Sequence, residues 1–208
     1  TEADLTDAAE AASFEALRKG DTPIDLTIAK GIVGIGDTVA DVSDGSGLIA
    51  KTLAGLGAFR VYANTEVAAA YKHFCGGMEE PLRPIRKLRK APEAALAEDA
   101  TADKHTHRLD GLLHGEALAL LRIAPKNRAV DILETAERLI ESETPPRAVL
   151  CHLLPREIPR AYAFLKERYG SPKMVLEGSD GVLCEGAVPE LKPLPADERC
   201  ALIWRLAN

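Results

Sequence analysis

The apolar positions of the first 90 residues follow the spacing of helices rather than that of strands. Over residues 24–42, and again over 48–74, apolar side chains recur largely on one face of a helix, although glycines interrupt both segments. Residues 4–19 place acidic side chains in the first turns, as a helix N-terminus favours. The pattern predicts a helical region 1–90 made of three helices, with a loop at 43–47.

After residue 104 the pattern mixes helix and strand signals. Residues 91–104 are rich in alanine and polar side chains, which is typical of an exposed linker. A hairpin is predicted where KMVLE and VLCEGAV flank the turn GSDG, and 147–154 reads as a short strand or a helical turn between prolines. Helical spacing predicts helices over four segments: 105–124, 127–141, 159–169 and 195–207. The expected fold is therefore α+β and predominantly α, with a helical first half and a smaller α/β-type region 105–208 that contains the hairpin.

Composition narrows the class of protein. Aromatic residues make up 4% of the 208 residues, and the apolar content comes mostly from alanine and leucine, which favour helices. The net charge of −6 repels phosphate backbones, which argues against nucleic acid as a partner. Four cysteines without CxxC spacing indicate free thiols in a reducing compartment, the cytoplasm or an organelle interior.

The sequence predicts neither a membrane span nor a signal peptide. No apolar run approaches the roughly 20 residues that span a bilayer, so the sequence predicts no membrane span. No charged segment leads into an apolar stretch, so no signal peptide is predicted. The chain begins at Thr1, which leaves open whether a leader has been removed.

The glycine-rich stretch IAKGIVGIGDTVADVSDGSGL at 28–48 raises the question of a ligand loop. GIGDTV has Val39 where a dinucleotide fingerprint needs its third glycine, and no phosphate-binding lysine follows, so no cofactor is predicted. Small residues on a helix instead allow close contact with another helix. The favoured interpretation is a structural or protein–protein interaction subunit of a larger assembly, with a protein partner or self-association as an oligomer. Its interaction residues would be Gly31, Gly34, Gly36, Leu53 and Leu56.

An enzyme is the first alternative, although the sequence favours a non-enzymatic role. Its site would lie near Cys151 and His152, or near the carboxylate pair Asp37 and Asp41. Neighbouring residues on a strand point to opposite faces, so Cys151 would need a base from elsewhere, and a buried structural cysteine is the preferred interpretation. Asp37 and Asp41 would share a helix face, but they do not match a calcium-binding loop, and no metal site is predicted.

Two further motifs carry charge or metal-binding side chains. The segment 105–114, HTHRLDGLLH, is interpreted as a helix entry with exposed histidines, because the HxH spacing does not put both rings on one helix face. The basic segment 83–90 supports a second alternative, a regulatory module that binds nucleic acid or an anionic membrane. Its cationic residues are Arg83, Arg86, Lys87, Arg89 and Lys90.

Overall fold

The computed structural model describes residues 24–43, 48–55, 57–64, 82–85, 109–113, 115–125, 128–177, 183–187 and 199–206. Numbered in chain order, the helices of these residues are α1 (Ile24–Ile32), α2 (Leu48–Gly55), α3 (Leu109–Leu112), α4 (Ala129–Glu134), α5 (Glu137–Glu141) and α6 (Ile158–Tyr169). The strands are β1 (Thr38–Ser43), β2 (Arg60–Asn64), β3 (Leu82–Ile85), β4 (Leu118–Ala124), β5 (Ala148–Leu153), β6 (Lys173–Glu177), β7 (Leu183–Ala187) and β8 (Cys200–Arg205).

The described strands form one eight-stranded sheet in the order β3-β2-β1-β4-β5-β8-β6-β7. Strands β1 to β5 run parallel to one another. Strand β8 lies antiparallel between β5 and β6, and β7 pairs antiparallel with β6 at the edge. Because the strand order runs outward in both directions from β1 and β4, the sheet is doubly wound, and its topological switch point lies between these two strands.

Helices cover both faces of the sheet, and each face has its own apolar core. On one face α1 and α2 pack against the strands through Leu26, Leu53, Val39 and Leu120. On the other face the helices α3 to α6 pack against side chains of alternate strand positions, among them Leu121 and Trp204. A parallel sheet covered on both faces belongs to the α/β class.

The predicted fold class, α+β and predominantly α, is therefore wrong. The cause lies in the strands, which are buried on both faces and so lack the alternation of apolar and polar residues that marks a half-buried strand. Strand β4 is buried at Leu118, Ala119, Leu120 and Leu121 in succession. Such a run of leucine and alanine has no strand period and was predicted as part of the helix 105–124.

The same error explains three further segments. The predicted helix 24–42 is α1 followed by a turn and β1, and the predicted helix 48–74 contains α2 and β2. The predicted helix 195–207 contains β8, which is buried at five of its six residues. The predicted helix 127–141 is divided into α4 and α5, which are separated by Thr135 and Ala136.

Other local predictions are confirmed. The helix predicted for 159–169 is α6, and it ends at Gly170, whose φ of 70° suits a residue without a Cβ. The hairpin is β6 and β7, and 147–154 contains the buried strand β5. The helix predicted at 4–19 and the linker at 91–104 lie outside the described residues. The division into domains stays a prediction, although the sheet takes strands from both sides of 91–104.

Candidate functional site

The carboxyl ends of the five parallel strands lie at one edge of the sheet. In doubly wound folds a ligand lies in the crevice at this edge, next to the switch point. Here the switch point is between β1, which ends at Ser43, and β4, which ends at Ala124. In the sequence, β1 is followed by Asp-Gly-Ser-Gly at 44–47, and α2 begins at the next residue. The candidate site is therefore the β1–β4 edge of the sheet.

Four charged or titratable side chains meet just inside this edge, and we call them the buried ion network: Asp25, Asp41, Arg122 and His152. The guanidinium of Arg122 donates from Nη1 to Asp41 Oδ1 and from Nε to Asp25 Oδ2, each at 2.6 Å. His152 Nε2 lies 2.8 Å from both carboxylate oxygens of Asp25. The side chains of Asp25, Asp41 and Arg122 are only 6%, 1% and 11% exposed, so these ion pairs are largely shielded from water.

The strand pleat and register explain how the network assembles. Asp41 pairs directly with Arg122 across the parallel strands β1 and β4. Each strand residue of the network lies two positions after an apolar residue of the core against α1 and α2, so the two side chains share one face of the sheet. The pairs are Val39 and Asp41, Leu120 and Arg122, and Leu150 and His152.

The first turn of α1 completes this arrangement. It carries Asp25, which reaches down to both Arg122 and His152. The network thereby ties α1 to β4 and β5, while Arg122 also ties β4 to β1.

The charges of the network stabilise one another. Burial alone would raise the pKa of Asp25, but the hydrogen bond with His152 and the positive charge of Arg122 outweigh it, so this pKa lies below its ordinary value. Burial likewise opposes the charge of Arg122, and the two carboxylates outweigh that effect and raise its pKa. The guanidinium of Arg122 therefore lies between the two carboxylates and forms an ion pair with each.

The carboxylate pair predicted from the sequence is separated. Asp37 precedes β1, where its carboxylate accepts the Gly34 N–H at 2.8 Å and pairs with Arg147. Asp41 lies further along the strand within the network. The two residues belong to opposite ends of β1 rather than to one helix face.

Cys151 and His152 also diverge. Their side chains lie on opposite faces of β5, and Cys151 is completely buried in the core that contains Leu121. Burial raises the pKa of the Cys151 thiol far above its usual range, so the thiol stays protonated and is a poor nucleophile. The structural interpretation of Cys151 is confirmed, whereas His152 belongs to the network.

The small-residue surface does not form. Gly31 is exposed in the last turn of α1, and a Cβ there would meet no atom within 4 Å. Gly34 and Gly36 lie in the turn before β1, where Gly36 adopts a φ of 87° that favours glycine. Leu53 is buried in the core against the sheet. Leu56 lies outside the described residues.

The basic segment 83–90 is described only at its start. Arg83 lies on β3, at the edge of the described sheet. Arg86, Lys87, Arg89 and Lys90 lie outside the described residues, as do His105, His107 and His114 of the histidine motif. The regulatory module that rests on 83–90 stays a prediction, and so does the exposure of the histidines in 105–114.

The sequence predicted neither the buried ion network nor the candidate site at the β1–β4 edge of the sheet. The available signal was the charge in LALLRIA and in IDLTIA, because Arg122 and Asp25 are ionic residues inside otherwise apolar segments. A second signal was the order strand, glycine pair, helix at 38–55, which the helical interpretation of 24–42 concealed.

Two features are absent from the described part of the chain. Its His, Cys, Asp and Glu side chains form no group of three that could bind a metal ion. None of its helices combines the length and the apolar character that crossing a bilayer requires.

The fold is similar to that of two methyltransferases of known structure. The TehB-like SAM-dependent methyltransferase from Corynebacterium glutamicum matches over 98% of this chain and 99% of its own, with a TM-score of 0.53 and 9% identity. The precorrin-6y C5,15-methyltransferase from Geobacter metallireducens matches over 89% and 87%, with a TM-score of 0.50 and 11% identity. No protein-family model and no curated sequence matches the chain. At this identity the similarity establishes the fold alone: the chain has a Rossmann-like, doubly wound α/β fold that these two methyltransferases share.

This result corrects the favoured interpretation of the sequence. A structural subunit that oligomerises through the small-residue faces of Gly31, Gly34 and Gly36 is wrong, because two of these glycines lie in a turn and the fold is one found in enzymes. The enzyme alternative agrees better with the fold. A protein partner and self-association stay predictions.

Proposed function

We propose that the chain is a SAM-dependent methyltransferase that binds its cofactor at the β1–β4 edge of the sheet. The observation that carries this proposal is the doubly wound sheet with β8 antiparallel between β5 and β6, in a fold that two methyltransferases share over most of their length. The crevice at the switch point is where such a fold binds its ligand.

The residues at this edge fit SAM better than a nucleotide. The four residues between β1 and α2 include Asp44 and no cation, and α2 begins with Leu48, Ile49 and Ala50. A P-loop carries a lysine here, and a dinucleotide-binding loop attracts phosphate through backbone N–H groups, an attraction that the negative charge of an aspartate would oppose. SAM has no phosphate and carries a cationic sulfur and an ammonium group, so an acidic loop suits it. The two glycines, Gly45 and Gly47, leave the backbone free of Cβ atoms that would hinder a ligand.

A carboxylate for the ribose is also present in the sequence. Glu66 comes two residues after the end of β2 at Asn64. It follows the glycine pair by about 20 residues, the spacing at which a carboxylate binds the ribose hydroxyls in dinucleotide-binding folds. SAM contains the same ribose diol, so we assign Glu66 to it.

When bound, SAM would supply an electrophilic methyl group on its positively charged sulfur. The residues of the chain contribute by holding the cofactor loop in position. The buried ion network fixes β1 to β4, and α1 to β4 and β5, so the loop that leaves β1 starts from a rigid strand end. Such preorganisation reduces the entropy that binding would otherwise lose.

Calorimetric titration of the purified chain with SAM, S-adenosylhomocysteine and NAD⁺ tests the proposal. We expect both adenosyl compounds to bind with dissociation constants below ~1 mM, in the range of enzyme cofactors and substrates, and NAD⁺ not to bind. Absence of SAM binding would refute the function.

Two glycine substitutions test whether SAM binds against the loop between β1 and α2. Gly45→Ala adds a methyl group in the proposed loop and is expected to weaken SAM binding about tenfold, equal to about 1.4 kcal/mol. Gly31→Ala is the matched control, because a Cβ there meets no atom within 4 Å and α1 ends well away from the loop in sequence. If both variants bind SAM as the unchanged chain does, the cofactor does not lie against residue 45.

A further inference from the structure

A cavity lies at the same edge of the sheet as the proposed cofactor site, beyond the carboxyl ends of β4 and β5. Its volume is about 460 Å³, which is within the range of ligand pockets, roughly 300–1,000 Å³. Its lining includes three arginines, with apolar walls from Val130 and Leu154. The arginines are Arg128 before α4, Arg156 in the short 3-10 turn after β5, and Arg160 in α6.

The carboxylates around this cavity are already engaged. Asp131 accepts hydrogen bonds from Arg128 Nε at 2.7 Å and from Arg160 Nη1 at 2.9 Å. Arg160 also donates from Nε to Glu134 at 2.6 Å. The carboxylate of Glu157 accepts the Leu154 N–H at 2.9 Å. These bonds hold Arg128 and Arg160 in fixed positions through the shared Asp131.

Two groups of donors are left for a ligand. Arg128 uses only its Nε within the described part of the chain, so both of its terminal nitrogens can donate. Arg156 is exposed and makes no hydrogen bond or ion pair to the described residues. A guanidinium presents paired N–H groups that match the two oxygens of a carboxylate or a phosphate.

The backbone conformation of Arg128 also supports a ligand site. Its φ of 61° and ψ of 37° place it in the left-handed region, and it is the one non-glycine residue of the described chain with a positive φ. Such conformations are disfavoured for residues with a Cβ, and they concentrate at ligand sites. The fold maintains this conformation where the chain passes from β4 into α4.

We propose that this cavity binds an anionic group, a carboxylate or a phosphate, of the small molecule that accepts the methyl group, with Arg156 and Arg128 as its donors. The role as the acceptor site rests on the proposed function. The cavity is lined by Arg128, which follows the end of β4 by four residues, and β4 is one of the two strands of the proposed cofactor crevice. An anion bound there would therefore hold the rest of the acceptor towards the β1–β4 edge.

The test uses inorganic phosphate and succinate as probes, titrated by calorimetry into the full chain and two variants. Arg156→Gln removes the proposed donor. Arg138→Gln is the matched control, since Arg138 is also an exposed arginine, and it lines a different cavity that includes Asp110 and Thr144. Both variants change the net charge equally, so non-specific attraction of anions falls equally in both.

We expect at least one probe to bind at millimolar concentration, Arg156→Gln to weaken it about fivefold or more, and Arg138→Gln to leave it unchanged. Preference for phosphate over succinate would assign a phosphoryl group, and the reverse preference a carboxylate. Binding of neither probe, or an equal loss in both variants, would overturn the proposal.

Titration of the same variants with SAM separates the two proposals. Arg156→Gln is expected to bind SAM as tightly as the unchanged chain does. SAM binding without anion binding would refute the anion cavity and leave the proposed function standing. Anion binding at Arg156 without SAM binding would refute the methyl-acceptor role together with the proposed function.

Discussion

Arg122→Met tests whether the buried ion network is held together by its central guanidinium. The substitution keeps an unbranched apolar stem of similar length and removes the cation, so that Asp25 and Asp41 face one another across the space that the guanidinium occupied. Both carboxylates are almost fully shielded from water, at 6% and 1% exposure. Removing one partner from a buried ion pair costs about 3–5 kcal/mol, because the remaining charge is left uncompensated. A single domain has only about 5–15 kcal/mol of stability to lose.

Urea denaturation followed by circular dichroism measures this cost. With a slope of about 2–3 kcal/mol per molar urea, a loss of 4 kcal/mol lowers the midpoint by about 1.5 M at an unchanged slope. Arg160→Gln is the control, since Arg160 is 56% exposed in its ion pairs and its loss should cost within ~1 kcal/mol. The triple variant Asp25→Leu, Asp41→Leu, Arg122→Met removes all three charges and should recover most of the loss. A midpoint for Arg122→Met equal to that of Arg160→Gln would refute the reasoning.

Three other outcomes follow from the described contacts. Because the pKa of Asp25 is lowered from 3.8, its ionised form stabilises the fold above about pH 4, and this contribution is lost as the pH falls through the folded-state pKa. The stability difference between the unchanged chain and Asp25→Asn, measured by urea denaturation, should therefore shrink as the pH falls from 5 towards 3. Cys151 should resist iodoacetamide in the native chain and react once urea unfolds it, as peptide mass spectrometry can read out, since its thiol is fully buried; labelling in the native state would contradict its burial. Gly31→Ala should stabilise by up to ~1 kcal/mol as a helical glycine with open space at its Cβ, and Gly36→Ala should destabilise by about 1–2 kcal/mol because of its φ of 87°, with thermal midpoints expected to move in opposite directions.

How far the sequence predicts this fold depends on how each segment is buried. The helix α6 and the hairpin of β6 and β7 carry local signals, a glycine stop after Tyr169 and turn residues between two short apolar runs, and both were predicted. Strands β1, β4 and β8 carry no such signal, because both of their faces are covered. Their apolar residues form runs, and runs of leucine and alanine are compatible with either type of element.

The site depends on contacts that sequence spacing does not express. Asp25 and Arg122 are 97 residues apart, and only the placement of α1 against the sheet brings them together. The register of β1 with β4 adds Asp41. Asp37 and Asp41, which are close in sequence, belong instead to opposite ends of one strand. The glycine pair at 45 and 47 could have been recognised as a strand-to-helix loop, but only if 38–43 had first been recognised as a strand.

The buried ion network and the proposed anion cavity lie on opposite faces of the sheet. The buried ion network belongs to the face covered by α1 and α2, and the anion cavity belongs to the face covered by α4 and α6. Strand β5 contributes to both, since His152 lies on the network side and Leu154 follows the strand into the cavity. No residue of the network lines the cavity. The changes in the free energy of unfolding caused by Asp25→Asn and by Arg156→Gln should therefore be additive in the double variant. The cofactor and its acceptor would then be held by separate sets of contacts, and the methyl group would pass between them over the β1–β4 edge.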